Sequence, residues 1–221
     1  FSLCVYFKFY ILNSKFFVMD VFSNSNSRFS IVNHRLVGGG VIHLVCEKNR
    51  RTLGEPEMII LHYTAGRDAM SSAKFLVRPE VKASTHLVIG RDGQVIQLVP
   101  FNIEAWHAGK SSYKGRSELN RYSIGIELDN LGKLRFSGDL FVAECGRVVL
   151  PDEVYTDCSG DHPTYWHRYT ERQIRVLQEI CSLLEETYPI RDVVGHSVIT
   201  PRKIDPGPAL EFAFSELQVK N

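Results

Sequence analysis

Two short runs set what this chain can fold into. They are Met58-Ile59-Ile60-Leu61-His62-Tyr63-Thr64 and Ser123-Ile124-Gly125-Ile126-Glu127-Leu128-Asp129. The first reads as a buried strand, with Ile60, His62 and Thr64 on one face by two-residue alternation. In the second, Ile124, Ile126 and Leu128 face one way, and Ser123, Gly125, Glu127 and Asp129 face the other. Residues 85–89 and 94–99 read as strands about Gly90-Arg91-Asp92-Gly93, where Asp-Gly is a strong hairpin signal. A short helix is expected over residues 69–77, stopped by Pro79. Thr170-Glu171-Arg172-Gln173 fits a capping box, and Ile174, Leu177, Cys181 and Leu184 then recur at helical spacing. That helix should end near Tyr188-Pro189, and residues 192–196 form a last short strand. Strands interleaved with at least one long helix predict an α/β domain, a central mixed β-sheet flanked by helices.

A chain of 221 residues suits one domain, or one domain with an appendage, and can enclose a substantial core. Residues 1–18 are aromatic-rich and contain Lys8, Asn13, Ser14 and Lys15, which interrupt any apolar run. They are expected to be a non-native or degenerate targeting segment, with the native start at Met19. Residues 19–52 read as a Ser/Asn-rich lead (20–30) followed by two short extended pieces about Gly38-Gly39-Gly40. The main domain is expected over residues 53–215. Residues 131–169, with scattered Gly, Pro and Asp, read as a long irregular loop or insertion.

A net charge of +1 gives no electrostatic argument for nucleic acid or a membrane surface. Five scattered cysteines with no CxxC pair make a poor disulfide framework, so thiols in a reducing compartment are expected. One Cys145–Cys158 bridge stays open as an alternative.

The chemistry concentrates in Gly195-His196-Ser197-Val198-Ile199-Thr200-Pro201-Arg202-Lys203-Ile204-Asp205-Pro206-Gly207-Pro208, which brings an imidazole, an ammonium and a carboxylate into one loop. With His62 from upstream, His196 and Asp205 could form a tripod for Zn²⁺ that leaves a fourth position for water. Lys203 adds positive charge where an oxyanion would develop. Glu127 is a carboxylate on an otherwise apolar strand, able to act as general base, with Gly125 beside it leaving room for a ligand. Trp106-His107-Ala108-Gly109 could wall a sugar or peptide site, or could be a core Trp beside a satisfied His. His86 and His107 compete with His62 for ligand roles, and spacing does not separate them. His34, His43, His162 and His167 read as surface or structural.

Six pieces of the chain, in order, resemble the zinc-dependent N-acetylmuramoyl-L-alanine amidases of the AmpD-like group, related to peptidoglycan recognition proteins and phage T7 lysozyme. They are Leu61-His62-Tyr63-Thr64-Ala65, Thr85 through Gly93, Ala105-Trp106-His107-Ala108-Gly109, Tyr113-Lys114-Gly115-Arg116, Ser123 through Leu128, and Gly195-His196 through Pro208. The resemblance implies one Zn²⁺ on His62, His196 and Asp205, with Glu127 as general base and Lys203 steadying the oxyanion. It implies that His86 and His107 are not ligands, and that Trp106, His107 and Asn120 lie on the substrate side of the cleft. The implied reaction is hydrolysis of the amide between N-acetylmuramic acid and L-alanine, on peptidoglycan or muropeptide. Two departures bear on loop shape and substrate preference: the loop from His196 to Asp205 is one residue shorter than the resemblance implies, lacking a residue between Pro201 and Arg202, and Val198 stands where Asp is frequent.

A non-catalytic muropeptide-binding module is the main rival, set against by the retention of all three ligands, Glu127 and Lys203. A metallopeptidase would carry HExxH, and that spacing does not occur here. A cytoplasmic monomer without a membrane span is expected, with the cell envelope or secretion as the alternative location.

Overall fold

The computed structural model describes residues 27–49 and 51–219, with side chains through residue 213. The expectations for residues 1–18 and for most of the 20–30 lead fall outside the described residues. The described chain opens with a hairpin of β1 (Phe29–Val32) and β2 (Arg35–Gly38), turned by Asn33 and His34, both at positive φ. Two strands were expected here, on either side of the glycine triplet. The structure has three, because Asn-His supplies an earlier left-handed turn; β3 (Ile42–His43) follows the glycines.

The domain is built on a six-stranded mixed sheet. Its members are β3, β4 (Met58–Tyr63), β5 (Leu87–Ile89), β6 (Val95–Gln97), β9 (Ser123–Leu128) and β15 (Asp192–Gly195), in spatial order β15-β4-β9-β5-β6-β3. Only the β5–β6 hairpin is antiparallel. A small hairpin, β7 (Ser112–Tyr113) with β8 (Arg116–Ser117), lies between β6 and β9 in sequence. In the parallel pair β4–β9, His62 stands opposite Glu127 and Ile60 opposite Gly125. The alternation read from sequence therefore places His62, Gly125 and Glu127 on one face, near the carboxyl ends of the strands, where open α/β sheets form their clefts.

The other face is closed by α2 (Glu171–Thr187). Its Ile174, Leu177, Ile180, Cys181 and Leu184 are buried against Ile59, Leu61, Ile124, Ile126 and Leu128. The Thr170 side chain accepts from the Gln173 backbone N–H, so half of the expected capping box forms. The Gln173 side chain does not return to the cap; it is buried and donates to the carbonyls of Ile89 and Asp129, pinning α2 to the sheet. On the functional face, α1 (Ala69–Leu76) begins at Asp68, whose carboxylate accepts from Ser71 N–H. Its end is fixed by Lys48, whose ammonium lies 2.6–3.1 Å from the carbonyls of Leu76, Arg78, Val81 and Ala83. A cation there satisfies carbonyls that a helix terminus leaves without partners.

Residues 131–169 are regular β-structure, not the irregular loop expected. β10 (Lys133–Ser137), β11 (Leu140–Ala143), β12 (Val148–Val149), β13 (Val154–Asp157) and β14 (Thr164–His167) form an antiparallel sheet of order β12-β11-β10-β14-β13. The Gly and Asp residues read as irregularity are its turns: Gly138, Asp139 and Gly146 all have positive φ. The sheet has a small core of its own, Leu131, Leu134, Ala143, Val149 and Val154. It is tied to the domain through His167, whose Nδ1 accepts from Leu131 N–H and whose carbonyl accepts from Asn130. No disulfide joins Cys145 and Cys158. After β15 the chain turns through a single helical turn, α3 (His196–Ile199), and ends in α4 (Pro208–Val219).

Leu177 is fully buried at the centre of the α2–sheet interface. Leu177→Ala should cost about 2–5 kcal/mol of unfolding free energy, read from the urea midpoint at unchanged m-value.

Candidate metal centre

Three segments distant in sequence converge at the carboxyl end of the sheet. His62 comes from β4, His196 opens α3 directly after β15, and Asp205 follows nine residues later. His62 Nδ1 lies 3.0 Å from His196 Nδ1 and 3.0 Å from Asp205 Oδ2, and His196 Nδ1 lies 2.9 Å from the same oxygen. All three residues are buried. Local packing holds this arrangement. The Ser197 N–H donates to the Asp205 carbonyl, and Tyr169, buried, donates its hydroxyl to the Pro206 carbonyl at 2.7 Å. Pro206 packs on Gly195, where a Cβ would meet its Cδ at 2.6 Å, so the residue before His196 has no room for a side chain.

Three lone-pair atoms facing one another in a buried site call for a shared positive charge. One proton can serve one edge of this triangle; a divalent cation serves all three. Two imidazole nitrogens and one carboxylate oxygen are the donor set that Zn²⁺ takes in catalytic sites with one position left open. With His196 Nδ1 turned to the triangle, its Nε2 is buried and makes no hydrogen bond among the described residues. Burial raises the Asp205 carboxyl, but hydrogen bonds from His196 and His62 outweigh that and hold it well below the usual carboxylate range. Burial lowers the His62 imidazole, against the pull of Asp205, and so favours the neutral form that can donate a lone pair.

Glu127 lies on the same face. Its Oε2 is buried and meets no hydrogen-bond partner among the described residues. Burial, and secondarily the Asp205 charge, push its carboxyl from 4.5 up to about 8, with Lys203 acting in the opposite sense. It lines a cavity of about 340 Å³ together with Thr64, Gly66, Ser71, Ser72, Phe75 and Leu76. Lys203 is exposed on the loop between His196 and Asp205, and its charge reaches both Glu127 and His62.

The residues expected on the substrate side divide. Trp106 is 38% exposed and free to meet a ligand. Asn120 is committed inward: its Oδ1 accepts from the backbone N–H groups of His107 (3.0 Å) and Ala108 (2.8 Å), fixing the loop that carries Trp106. His107 is also committed inward, 3.1 Å from His62 Nε2 and 3.3 Å from Ser123 Oγ. Gly125, read as room for a ligand, instead makes room for His107, because a Cβ there would lie 2.4 Å from His107 Cγ. Both ring nitrogens of His86 are engaged elsewhere. Its Nδ1 accepts from Gly125 N–H and its Nε2 meets the Ile103 carbonyl, both at 3.0 Å. Ser123, Tyr169 and Pro206 were not singled out from sequence; for Ser123 the signal existed, since it shares a face with Gly125 and Glu127.

The profile of the family described as N-acetylmuramoyl-L-alanine amidase matches residues 52–208. The 1,6-anhydro-N-acetylmuramyl-L-alanine amidase AmpD of Escherichia coli is 32% identical over 154 residues, covering 68% of this chain and 66% of the relative. AmiD of the same organism, an N-acetylmuramoyl-L-alanine amidase, is 31% identical over 162 residues, covering 69% of this chain and 49% of the relative. The chain thus spans from about half to just under two thirds of the length of these relatives. Among solved structures, an AmpD derivative superposes with a TM-score of 0.56 at 26% identity, covering 85% of this chain and 98% of that one. AmiD of E. coli in complex with anhydro-N-acetylmuramic acid-L-Ala-D-gamma-Glu-L-Lys gives 0.54 at 25%, covering 86% and 66%. The mixed sheet with helices described above is the fold of these amidases, and the chain belongs to the N-acetylmuramoyl-L-alanine amidase family.

Proposed function

We propose that this chain is a zinc-dependent amidase that hydrolyses the bond between the lactyl group of N-acetylmuramic acid and L-alanine of the stem peptide. The observation that carries this reading is the pairing of a buried His62–His196–Asp205 triangle with Glu127 on the same sheet face, whose buried Oε2 meets no hydrogen-bond partner among the described residues. In this reading His62, His196 and Asp205 hold Zn²⁺. Bound there, the ion would supply Lewis acidity toward the amide carbonyl and toward water.

The remaining work falls to the chain. Glu127 accepts the proton of the attacking water and returns it to the departing L-alanine nitrogen, so one water is consumed and one carboxylate and one amine are released. Lys203 offers positive charge to the carbonyl oxygen as it becomes an oxyanion, a contribution of about 3–4 kcal/mol for one well-placed donor. Trp106 offers an exposed aromatic face to the substrate. The substrate is a muropeptide or peptidoglycan, in keeping with the ligand in the AmiD complex. Cytoplasmic action as a monomer on soluble wall fragments is part of the proposal, supported by the thiol state of the described cysteines. Among the described residues no helix is long and apolar enough to cross a membrane.

The decisive experiment is mass spectrometry of products from soluble anhydro-muropeptide and from purified sacculi, with and without chelator. Free stem peptide beginning at L-alanine is expected, lost on chelation and restored by Zn²⁺; release of no such peptide from either substrate overturns the activity. Asp205→Ala should lower zinc content well below one per chain, and unchanged stoichiometry would remove Asp205 from the ligand set. Glu127→Gln should keep zinc while turnover falls at least 100-fold.

The same variant has a signature in stability. A carboxyl whose folded pKa lies above its unfolded value binds its proton more tightly when folded. Its cost to folding is absent below pH 4.5 and grows as pH rises toward about 8. In metal-free protein, Glu127→Gln should raise stability at pH 7 by about 3 kcal/mol, a gain that shrinks toward pH 5. Thermal unfolding at both pH values measures it, and equal melting temperatures at pH 7 would mean the carboxyl is not desolvated.

A further inference from the structure

We propose that His107 is a positioning residue for the metal site, and that a backbone carbonyl sets the protonation pattern of His62 through it. The inference rests on the reading of His62 as a metal ligand. The chain of contacts begins at the Leu119 carbonyl, which takes the Ser123 hydroxyl proton at 2.7 Å. With that proton committed, Ser123 Oγ can only accept from His107 Nε2, 3.3 Å away. A His107 protonated on Nε2 carries its lone pair on Nδ1, which lies 3.1 Å from His62 Nε2. That lone pair draws the His62 proton to Nε2, which leaves the Nδ1 lone pair directed at the space shared with His196 and Asp205. A neutral imidazole has one donor and one acceptor, so His107 favours the form of His62 that a cation at Nδ1 requires, against the pull of the Asp205 carboxylate on the same proton.

Steric fit supports the assignment. The His107 ring lies directly on Gly125, and any Cβ there would meet Cγ at 2.4 Å, Cδ2 at 2.6 Å and Nδ1 at 2.7 Å. The His107 and Ala108 N–H groups are held by Asn120, so the ring is anchored through its own backbone as well. The adjacent His86 cannot substitute, since both its nitrogens are engaged with Gly125 and Ile103. Outer partners that fix a ligating imidazole are typically worth 10–100-fold in metal affinity.

The test uses the full chain with two readouts that do not depend on turnover. Zinc affinity is measured by chelator competition, and the His62 tautomer by ¹⁵N chemical shifts in metal-free protein. His107→Leu should weaken zinc about 10–100-fold, and the Nε2–H fraction of His62 should fall. His107→Asn, which keeps an acceptor near the Nδ1 position, should recover most of the affinity. Ser123→Ala leaves the His107 ring in place and should weaken zinc by a smaller factor, which keeps the proposal testable if His107→Leu fails to fold. Wild-type affinity in either folded His107→Leu or Ser123→Ala, with an unchanged His62 tautomer, overturns it. The tautomer readout needs no metal, so it decides the positioning role even if the wild-type chain bound no zinc and the metal reading itself fell.

Discussion

The structure depends on the mutual approach of three electron-rich atoms. Two imidazole nitrogens and a carboxylate oxygen within about 3 Å of one another, out of water, form an arrangement that folding alone would disfavour. It persists because the surrounding contacts over-determine it: parallel pairing sets β15, β4 and β9 in register, Pro206 fills the space over Gly195, and Tyr169 holds the turn after Asp205. A raised Glu127 carboxyl beside this cluster is the second local cost. Both costs are met by the ordinary apolar packing of α2 on the opposite face of the sheet, which is fully buried and carries no chemistry. One side of the sheet is built for cohesion and the other for reactivity.

Much of the site was legible because two-residue alternation is a strict rule. A strand that must bury Ile124, Ile126 and Leu128 on one side has no choice about where Ser123, Gly125 and Glu127 point. What alternation could not supply was the identity of the neighbours. Gly125 was read as space for a ligand, and the space is occupied by His107. Asn120 and His107 were read toward substrate, and their polar atoms turn inward to backbone, to Ser123 and to His62. Such pairings join residues 13, 16 and 45 positions apart across a loop, and spacing carries no information about them.

The 131–169 segment was misread for a different reason. Its strands are two to five residues long, and strand β11 is only partly buried, so no periodic pattern runs far enough to stand out from the turns. The Gln173 side chain shows the converse, a sequence signal for a helix cap whose second half the tertiary fold claimed for the sheet. Local preference yields where a buried carbonyl needs a donor.

The chain has two tryptophans, and their placement has an experimental use. The Trp166 ring packs on Gly207, two residues beyond Asp205, where a Cβ would come within 2.5 Å of it. Trp106, next to His107 in the chain, is exposed. One indole is buried and the other wet, so the molecule carries a built-in optical gauge whose two emitters differ in quencher access. Intrinsic fluorescence, without any label, can therefore separate the surroundings of Gly207 from those of the loop before His107 by quencher access.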